Sequence, residues 1–418
     1  MGRRVKVLGI GLLLLLEAGC HGPERELKQP IPVTFSVDSS SFRNSLAGQV
    51  GSPFLPGSRI EPLLNGDQIL PAMLAAIRSA TNSVNLETFI WKSGRMSDAF
   101  IEALIDRARA RVEVRCIADG LGTLSLKDKD LDRLRAAGVK FHRYNKPRVY
   151  LLNHVNFRDH RKLMIVDGRI AFTGGACIGD AWLGNAESKE LWRDTHFRVE
   201  GPAVAQIQAI FAGNWLKTEG ESLVGDKFYP SIEAKGDCLA QNFATGRQDS
   251  GETARLVYLS AIAAARRHIR LEHSYFVPDD LALAALLDAR KRGVEIEIIT
   301  PGNIDANIVR NASRTLWPQL LRAGVTIFEY HPAMLHCKII VVDELFVSCG
   351  SVNFDERSFD INDESNINVL DGAFARRMIA DFDRDRAQSR PIHLADLKKT
   401  PWYQRAFERF TSLFRHQL

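Results

Sequence analysis

Cysteine is scarce in this sequence of 418 residues, and no two of its six cysteines form a Cys-x-x-Cys pair. The common closed zinc site therefore has no support, and a disulfide framework is not indicated. Most of the cysteines lie in apolar runs such as Val114–Ile117 and Phe346–Cys349. We therefore expect buried free thiols in strands and no bound metal.

An excess of charge of one sign is also missing, because 55 Lys and Arg residues face 50 Asp and Glu residues, for a net charge of +5. Nucleic-acid-binding surfaces usually show a stronger basic excess, so we expect no nucleic-acid partner. An anionic substrate must instead be bound by a local cluster. The content of 45% hydrophobic and 25% charged residues is typical of a folded globular protein and argues against collagen, long disorder and a multi-span membrane protein.

The apolar run near the N-terminus, Val7–Leu16, is too short for a transmembrane helix, which needs about 20 apolar residues. Basic residues precede it and Cys20 follows a small-residue pair, which is typical of an export signal. The pattern resembles a bacterial lipoprotein signal, although Glu17 stands where Leu is usual. We predict a signal peptide or lipoprotein-type anchor over residues 1–20, acylated at Cys20, or alternatively an uncleaved amphipathic anchor. Residues 21–60 are predicted to form a linker.

The body of the chain is an internal duplication, with matching segments in the same order in both halves. The matching pairs are Leu86–Ile90 with Leu271–Tyr275, Leu104–Val114 with Leu286–Ile296, Leu134–Val139 with Leu321–Val325, and His160–Asp167 with His336–Asp343. We predict a first half over residues 61–230, a second half over residues 231–390 and a C-terminal amphipathic tail over residues 391–418.

Each half alternates helices and strands. Apolar spacing predicts a helix over Ser97–Arg111 with its first residue as N-cap, and β-branched runs predict strands over Val112–Ile117 and Val294–Ile299. Gly138 and Gly324 stand where a helix should end. The alternation predicts an α/β fold of two pseudo-symmetric α/β/α halves, each with a mixed, largely parallel sheet covered by helices on both faces.

The pattern His-x-Lys-x-x-x-x-Asp occurs twice at equivalent positions of the repeat. Its members are His160, Lys162 and Asp167 in the first half and His336, Lys338 and Asp343 in the second half. On a strand, residues i and i+2 share a face, so each imidazole is expected beside an ammonium group. An imidazole beside an ammonium group is suited to bind an anionic group that is being transferred. An interpretation as two core histidines would require two lysines buried without purpose, which is costly.

Residues downstream of each motif extend the candidate site. Gly175, Ser351 and Asn353 are predicted to bind phosphate, through close backbone approach or side-chain hydrogen bonds. Asp194 and Glu364 follow the histidines of their own halves by 34 and 28 residues. We expect Asp194 to orient His160 and Glu364 to orient His336. Ordinary surface charges are the alternative for both carboxylates.

The doubled motif resembles the hallmark of the phospholipase D superfamily over roughly residues 60–390. Within it the chain is most similar to bacterial cardiolipin synthases, on Leu86–Trp91, Ser274–Asp279, Leu321–Val325 and Asn353–Phe359. The resemblance implies a site at the interface of the two halves, with no metal or organic cofactor. It also implies a two-step transfer in which His160 attacks phosphorus, His336 serves as acid and base, and the two lysines hold the phosphate charge.

The resemblance implies a phosphatidyl transferase that joins phosphatidylglycerol to a second phospholipid head group. A phospholipase D that hydrolyses phospholipids to phosphatidic acid is the alternative, and a nuclease is a weaker third. A non-catalytic binding protein should have lost a motif His or Lys, and all four are present. One departure from the family pattern is Cys177, which stands in the usual place of an Asn in the first half.

The end of the chain carries an aromatic face with basic neighbours. Tyr403, Phe407, Phe410 and Phe414 recur at helical spacing. This face suits an interfacial membrane helix, and a helix docked on the core is the alternative. With the N-terminal pattern, it predicts a membrane-surface protein of a bacterial cell, exported and anchored at Cys20, or alternatively peripheral on the cytoplasmic membrane.

Overall fold

The computed structural model describes residues 27–145, 156–246, 252–305, 307–398 and 411. The predicted anchor over residues 1–20, with Cys20, and the aromatic face from Tyr403 to Phe414 lie outside the described residues. None of the helices within the described ranges has the length and apolarity needed to cross a bilayer.

Helices and strands alternate at the start of each half, and a run of consecutive strands follows in each. The helices of the described ranges are α1 Ser40–Val50, α2 Asn65–Ser79, α3 Arg95–Arg109, α4 Asp128–Ala136, α5 Ala203–Glu219, α6 Thr253–Ala264, α7 Asp280–Lys291, α8 Asn307–Arg322, α9 Gly372–Ala387 and α10 Leu394–Lys398. The strands are β1 Leu55–Leu64, β2 Ser83–Thr88, β3 Glu113–Asp119, β4 Lys140–Tyr144, β5 Leu163–Val166, β6 Ile170–Gly174, β7 Trp192–Arg193, β8 Thr195–Glu200, β9 Cys238–Thr245, β10 His268–His273, β11 Phe276–Val277, β12 Glu295–Pro301, β13 Thr326–Tyr330, β14 Met334–Leu335, β15 Lys338–Val342, β16 Phe346–Gly350, β17 Phe354–Asp355, β18 Glu364–Leu370 and β19 Ser389–Pro391.

Fifteen of these strands form one continuous sheet, in the order β19-β13-β12-β10-β15-β16-β18-β9-β1-β8-β6-β5-β2-β3-β4. From the central β1–β9 pair, the strands of the two halves follow one another outward in equivalent order. The predicted mixed α/β fold is confirmed, but the prediction of a largely parallel sheet is wrong. Within this sheet of the described residues, only β2–β3, β3–β4, β10–β12 and β12–β13 pair in parallel, because helical crossovers join these strands. The motif strands β5 and β15 instead turn back through hairpins to β6 and β16.

The motif strands are buried on both faces, as predicted. In β5, Leu163 and Ile165 face a core shared by both halves, whereas Met164 and Val166 face the core of the first half. The shared core packs α5 and α9 on one side of the sheet and includes Trp215 from the first half and Phe382 from the second. The two halves therefore pack as one unit around the central strands.

Local signals were confirmed in part. α4 ends at Ala136 and α8 ends at Arg322, each shortly before its predicted glycine, and Gly138 and Gly324 have φ of 90° and 87°. The N-cap prediction for Ser97 is wrong, because α3 begins at Arg95 and the Asp180 carboxylate accepts from its first backbone N–H groups.

The cysteines of the described ranges are free thiols. Four of these, Cys116, Cys177, Cys337 and Cys349, are buried, whereas Cys238 is half-buried. Burial raises the pKa of the Cys238 thiol to about 11, so this group stays protonated at neutral pH.

Candidate active site

Each motif histidine is fixed by backbone of the other half of the chain. The His160 N–H donates to the Asp363 carbonyl at 2.8 Å, and the His336 N–H donates to the Arg193 carbonyl at 2.7 Å. β5 begins only at Leu163, so His160 lies in the extended segment that leads into the strand and not on the strand itself. Both residues are almost fully buried, and the exposed fractions of their side chains are 10% for His160 and 7% for His336.

The orienting carboxylates are exchanged between the halves. Nδ1 of His160 lies 2.9 Å from both carboxylate oxygens of Glu364, and Nδ1 of His336 lies 2.8 Å from Oδ2 of Asp194. Both residues belong to the site, but the predicted pairing within each half is wrong. The pairing crosses because Glu364 opens β18 and Asp194 precedes β8, the strands that flank the central β1–β9 pair. With Nδ1–H donated to a carboxylate, Nε2 remains the reactive nitrogen of each ring.

Glu364 is held by hydroxyl groups. Ser351 Oγ donates to Oε2 at 2.5 Å, and Ser358 Oγ donates to Oε1 at 2.8 Å. The prediction of Ser351 as a phosphate donor is corrected, since its hydroxyl hydrogen is used on this carboxylate. Burial raises the pKa of Glu364 to about 7, and neighbouring Lys162 opposes that rise. Sequence reasoning did not identify Ser358 as a site residue.

Asp194 has a different environment. It accepts hydrogen bonds from Trp182 Nε1 and from the Thr195 N–H, each at 2.8 Å. Burial acts to raise the pKa of Asp194, but His336 and then Lys338 outweigh it, so the pKa is lowered. This carboxylate therefore stays ionised at neutral pH.

Gly175 makes room for Asp194. A Cβ at this position would lie 2.2 Å from Asp194 Oδ1, so a larger residue would displace the carboxylate. The sequence predicted a close approach at Gly175, and the protein group that approaches it is the Asp194 carboxylate.

The two lysines are buried beside their histidines but have unlike partners. Lys338 Nζ donates to the His336 carbonyl and to Ser274 Oγ, both at 2.7 Å, and Ser274 Oγ donates in turn to Asn353 Oδ1 at 2.8 Å. Burial lowers the pKa of Lys338 to about 8, against the opposing effect of Asp194. Asn353 thus reaches the site through Ser274, a residue that sequence reasoning did not assign to the site.

Lys162 donates to the His160 carbonyl, and its Nζ lies 5.4 Å from the centroid of the Phe89 ring. In the repeat, Phe89 stands where Ser274 stands in the second half, and Cys177 stands where Asn353 stands. Cys177 is buried and lines a small cavity beside Lys162. The first half therefore lacks the hydroxyl–amide chain that Lys338 contacts.

The third member of each motif lies at the far end of its strand. Asp167 accepts from the backbone N–H groups of residues 81, 82 and 83 at 2.7–2.8 Å, and Asp343 accepts from those of residues 266, 267 and 268 at 2.7–2.9 Å. Both have positive φ in the turn after the strand. Their carboxylates bind the backbone at the starts of β2 and β10. Each aspartate comes five residues after the lysine of its motif, at the far end of the motif strand, so the prediction that these aspartates are catalytic is corrected.

The two histidines differ in acidity. Burial lowers the pKa of His160 far below its ordinary value, and Lys162 and Lys338 lower it further. Burial also lowers the pKa of His336 and Lys338 lowers it further, but Asp194 acts in the opposite direction. The site therefore offers a neutral imidazole at His160 and an imidazole at His336 that is better suited to carry a proton, between two ammonium groups. Within the described residues no cluster of His, Cys, Asp or Glu side chains is arranged to hold a metal ion.

Comparison with known proteins gives a consistent result. The family described as "Cardiolipin synthase, PLD-like domain" matches residues 73–215 and 258–386. The cardiolipin synthase of Alkalihalophilus pseudofirmus is 34% identical over 367 residues, covering 87% of this chain and 73% of the relative, and that of Geobacillus thermodenitrificans is 34% identical over 372 residues, covering 88% and 74%. The solved phosphatidylserine synthase of Haemophilus influenzae has a similar fold, with a TM-score of 0.66 at 12% identity over 90% of this chain and 100% of the other.

Proposed function

Because this chain belongs to the cardiolipin synthase family of phospholipase D-like proteins, we propose that it transfers a phosphatidyl group from phosphatidylglycerol to the head group of a second phospholipid. The observation that carries the proposal is the crossed pairing of His160 with Glu364 and His336 with Asp194. This pairing gives one site two oriented imidazoles. Two buried lysines beside them suit an anionic phosphodiester.

In the first step Nε2 of His160 attacks phosphorus. A P–N bond forms, the P–O bond to the leaving glycerol breaks, and His336 gives that oxygen its proton. In the second step His336 takes the proton of the incoming hydroxyl, whose oxygen attacks phosphorus and displaces His160. The lower pKa of His160 supports its role as nucleophile, because a nucleophilic nitrogen must be unprotonated.

Lys162 and Lys338 stabilise the charge that develops on the phosphoryl oxygens. Their carbonyl acceptors belong to His160 and His336, so each ammonium is held beside the ring of its own motif. No metal or organic cofactor is needed in this scheme, because the two ammonium groups supply the positive charge.

The proposal is tested with vesicles of acyl-labelled phosphatidylglycerol. We expect labelled cardiolipin and released glycerol, whereas labelled phosphatidic acid as the main product would instead indicate a phospholipase D that uses water as acceptor. An alkaline quench during turnover, followed by peptide mass spectrometry, should place the phosphatidyl adduct on His160. An adduct on His336 would reverse the two roles.

We also propose that the protein is bound to the membrane, exported and anchored through Cys20. The support is the basic and apolar pattern of residues 3–20. Cell fractionation of the wild type and Cys20→Ser provides the test. Wild-type protein in the soluble cytoplasmic fraction with residues 1–19 still attached would contradict both export and anchoring.

A further inference from the structure

Two exposed leucines lie on the loop that follows β3. Leu121 is 41% exposed and Leu124 is 70% exposed, although both are large apolar side chains. The Leu124 N–H donates to the Leu121 carbonyl at 3.3 Å, so a tight turn presents the two side chains together. We call residues 120–126 the rim loop.

The rim loop is fastened close to His160. Asp119 Oδ1 accepts from the Leu121 N–H at 2.8 Å, and a Cβ at Gly122 would lie 1.8 Å from the Phe89 carbonyl oxygen. The Phe89 ring in turn packs edge-on against the His160 ring, with centroids 5.0 Å apart. The rim loop therefore lies against the backbone of Phe89, the residue whose ring packs on His160.

A third exposed apolar residue lies near the other motif. Ile308, in the first turn of α8, is 39% exposed. The segment before it is held by Tyr275, whose hydroxyl donates to Asp305 Oδ1 at 2.8 Å. Tyr275 directly follows Ser274, the partner of Lys338. The exposed Ile308 side chain thus follows a segment that Tyr275 connects to the surroundings of Lys338.

Two cavities that the described residues form near the site are unsuited to acyl chains. The apolar cavity beside Lys162 has a volume of about 10 Å³, which is room for about one water molecule. The cavity of about 500 Å³ behind Arg193 is lined by charged groups that include Asp381 and Asp385. A phospholipid bound at these histidines must therefore keep its acyl chains outside both cavities.

We propose that Leu121 and Leu124, together with Ile308, insert into the lipid surface from which the substrate is drawn. This inference rests on the proposed function. Insertion would bury apolar side chains that are exposed to water and would bring the mouth of the site to the head groups, so that only the phosphodiester enters the protein.

The test places an environment-sensitive fluorophore at one position of the full chain. Leu124→Cys is labelled with a nitrobenzoxadiazole probe after Cys20→Ser and Cys238→Ser remove the other candidate reactive thiols. Vesicles of equal parts phosphatidylglycerol and phosphatidylethanolamine are then added. We expect a blue shift and quenching by a lipid-borne quencher.

Val224→Cys is the matched control, because Val224 is also 70% exposed. It lies near Lys227, which pairs with Glu113 at the opposite end of β3 from Asp119. No shift is expected there. Equal emission changes at both positions, or no change at position 124, would overturn the inference.

A second measurement uses turnover. Leu121→Ser with Leu124→Ser should lower the rate on vesicles by about 10- to 100-fold through lost apolar burial. The control pair Leu216→Ser with Val224→Ser, at side chains that are 49% and 70% exposed, should keep the wild-type rate. A wild type that makes no cardiolipin would refute the proposed function, whereas the probe at position 124 is measured without turnover and decides the insertion separately.

Discussion

Glu364→Gln is the variant that most sharply tests the catalytic scheme. An ionised Glu364 accepts Nδ1–H of His160 in a charge-assisted hydrogen bond, and burial raises the pKa of this carboxyl from 4.5 to about 7. The wild-type rate should therefore fall as the pH drops through about 7. Glutamine cannot ionise, so this fall in rate, the acid limb of the pH–rate profile, should disappear in the variant. The plateau rate should fall by about 10²- to 10⁴-fold, the usual contribution of an oriented acid or base.

The same pKa fixes the sign of the stability change. A carboxyl whose pKa is raised by folding contributes most to the free energy of unfolding below pH 4.5. The protein loses this contribution as the pH rises through about 7. The raised pKa of Glu364 corresponds to a loss of about 3 kcal/mol in the free energy of unfolding above that pH. Glutamine removes this cost but weakens the bonds from Ser351 and Ser358, so the variant should not be less stable than the wild type at pH 8.

The assay for Glu364→Gln is cardiolipin formation from labelled vesicles between pH 5 and 9, with denaturant unfolding at pH 5 and 8. Asp194→Asn is the matched control, because the pKa of Asp194 is lowered and its ionisation does not cause a limb near pH 7. It should lose rate but keep the acid limb. An acid limb near pH 7 that persists in Glu364→Gln would refute the assignment of that limb to Glu364.

Three further variants test other parts of the site. His160→Ala and His336→Ala should each lower cardiolipin formation by at least about 10³-fold, since nucleophile and proton carrier act as a unit, and a near-normal rate in either would contradict the mechanism. The wild-type rate should also fall as the pH rises through about 8, where the buried Lys338 ammonium loses its proton. Lys338→Arg should move this fall to higher pH, because a guanidinium keeps its charge there. A fall that stays near pH 8 in the variant would exclude Lys338 as its source. Asp343→Ala should lower the free energy of unfolding by about 2–4 kcal/mol in denaturant titrations, because three backbone N–H groups lose their acceptor, and a changed pH–rate profile would contradict its structural role.

Local regularities of the sequence were sufficient to predict much of the fold. The repeated segments place β2, β3 and β5 in the first half and β10, β12 and β15 in the second, in equivalent order in the sheet. Gly138 and Gly324 end helices because each adopts a positive φ. These features depend on neighbours along the chain, so one sequence is enough to recognise them.

The partners of the site side chains depend on distant contacts and were beyond this reasoning. A separation of 28 residues made Glu364 look like the partner of His336, but the antiparallel centre of the sheet brings it to His160, 204 positions away. Asp167 follows Lys162 closely in sequence, yet an intervening strand carries its carboxylate to the other end of β5. Side-chain hydroxyls such as Ser358 carry no distinguishing pattern before the fold is known.

In the proposed scheme, divergence between the two halves gives the two histidines different roles. Two identical halves would present two imidazoles of equal pKa, yet a transfer through a covalent intermediate needs one unprotonated nucleophile and one proton carrier. Glu364, which contacts the His160 ring, has a raised pKa, whereas Asp194, which contacts the His336 ring, has a lowered pKa. Lys162 faces the Phe89 ring, whereas Lys338 contacts a hydroxyl.

Cys177 fits this divergence. An Asn at this position would add a polar group beside Lys162 and make the first half more like the second. The cysteine instead adds no amide to the cavity beside Lys162, and Phe89 lies next to the His160 ring. An apolar environment disfavours the imidazolium form, so this departure from the family pattern favours a neutral His160.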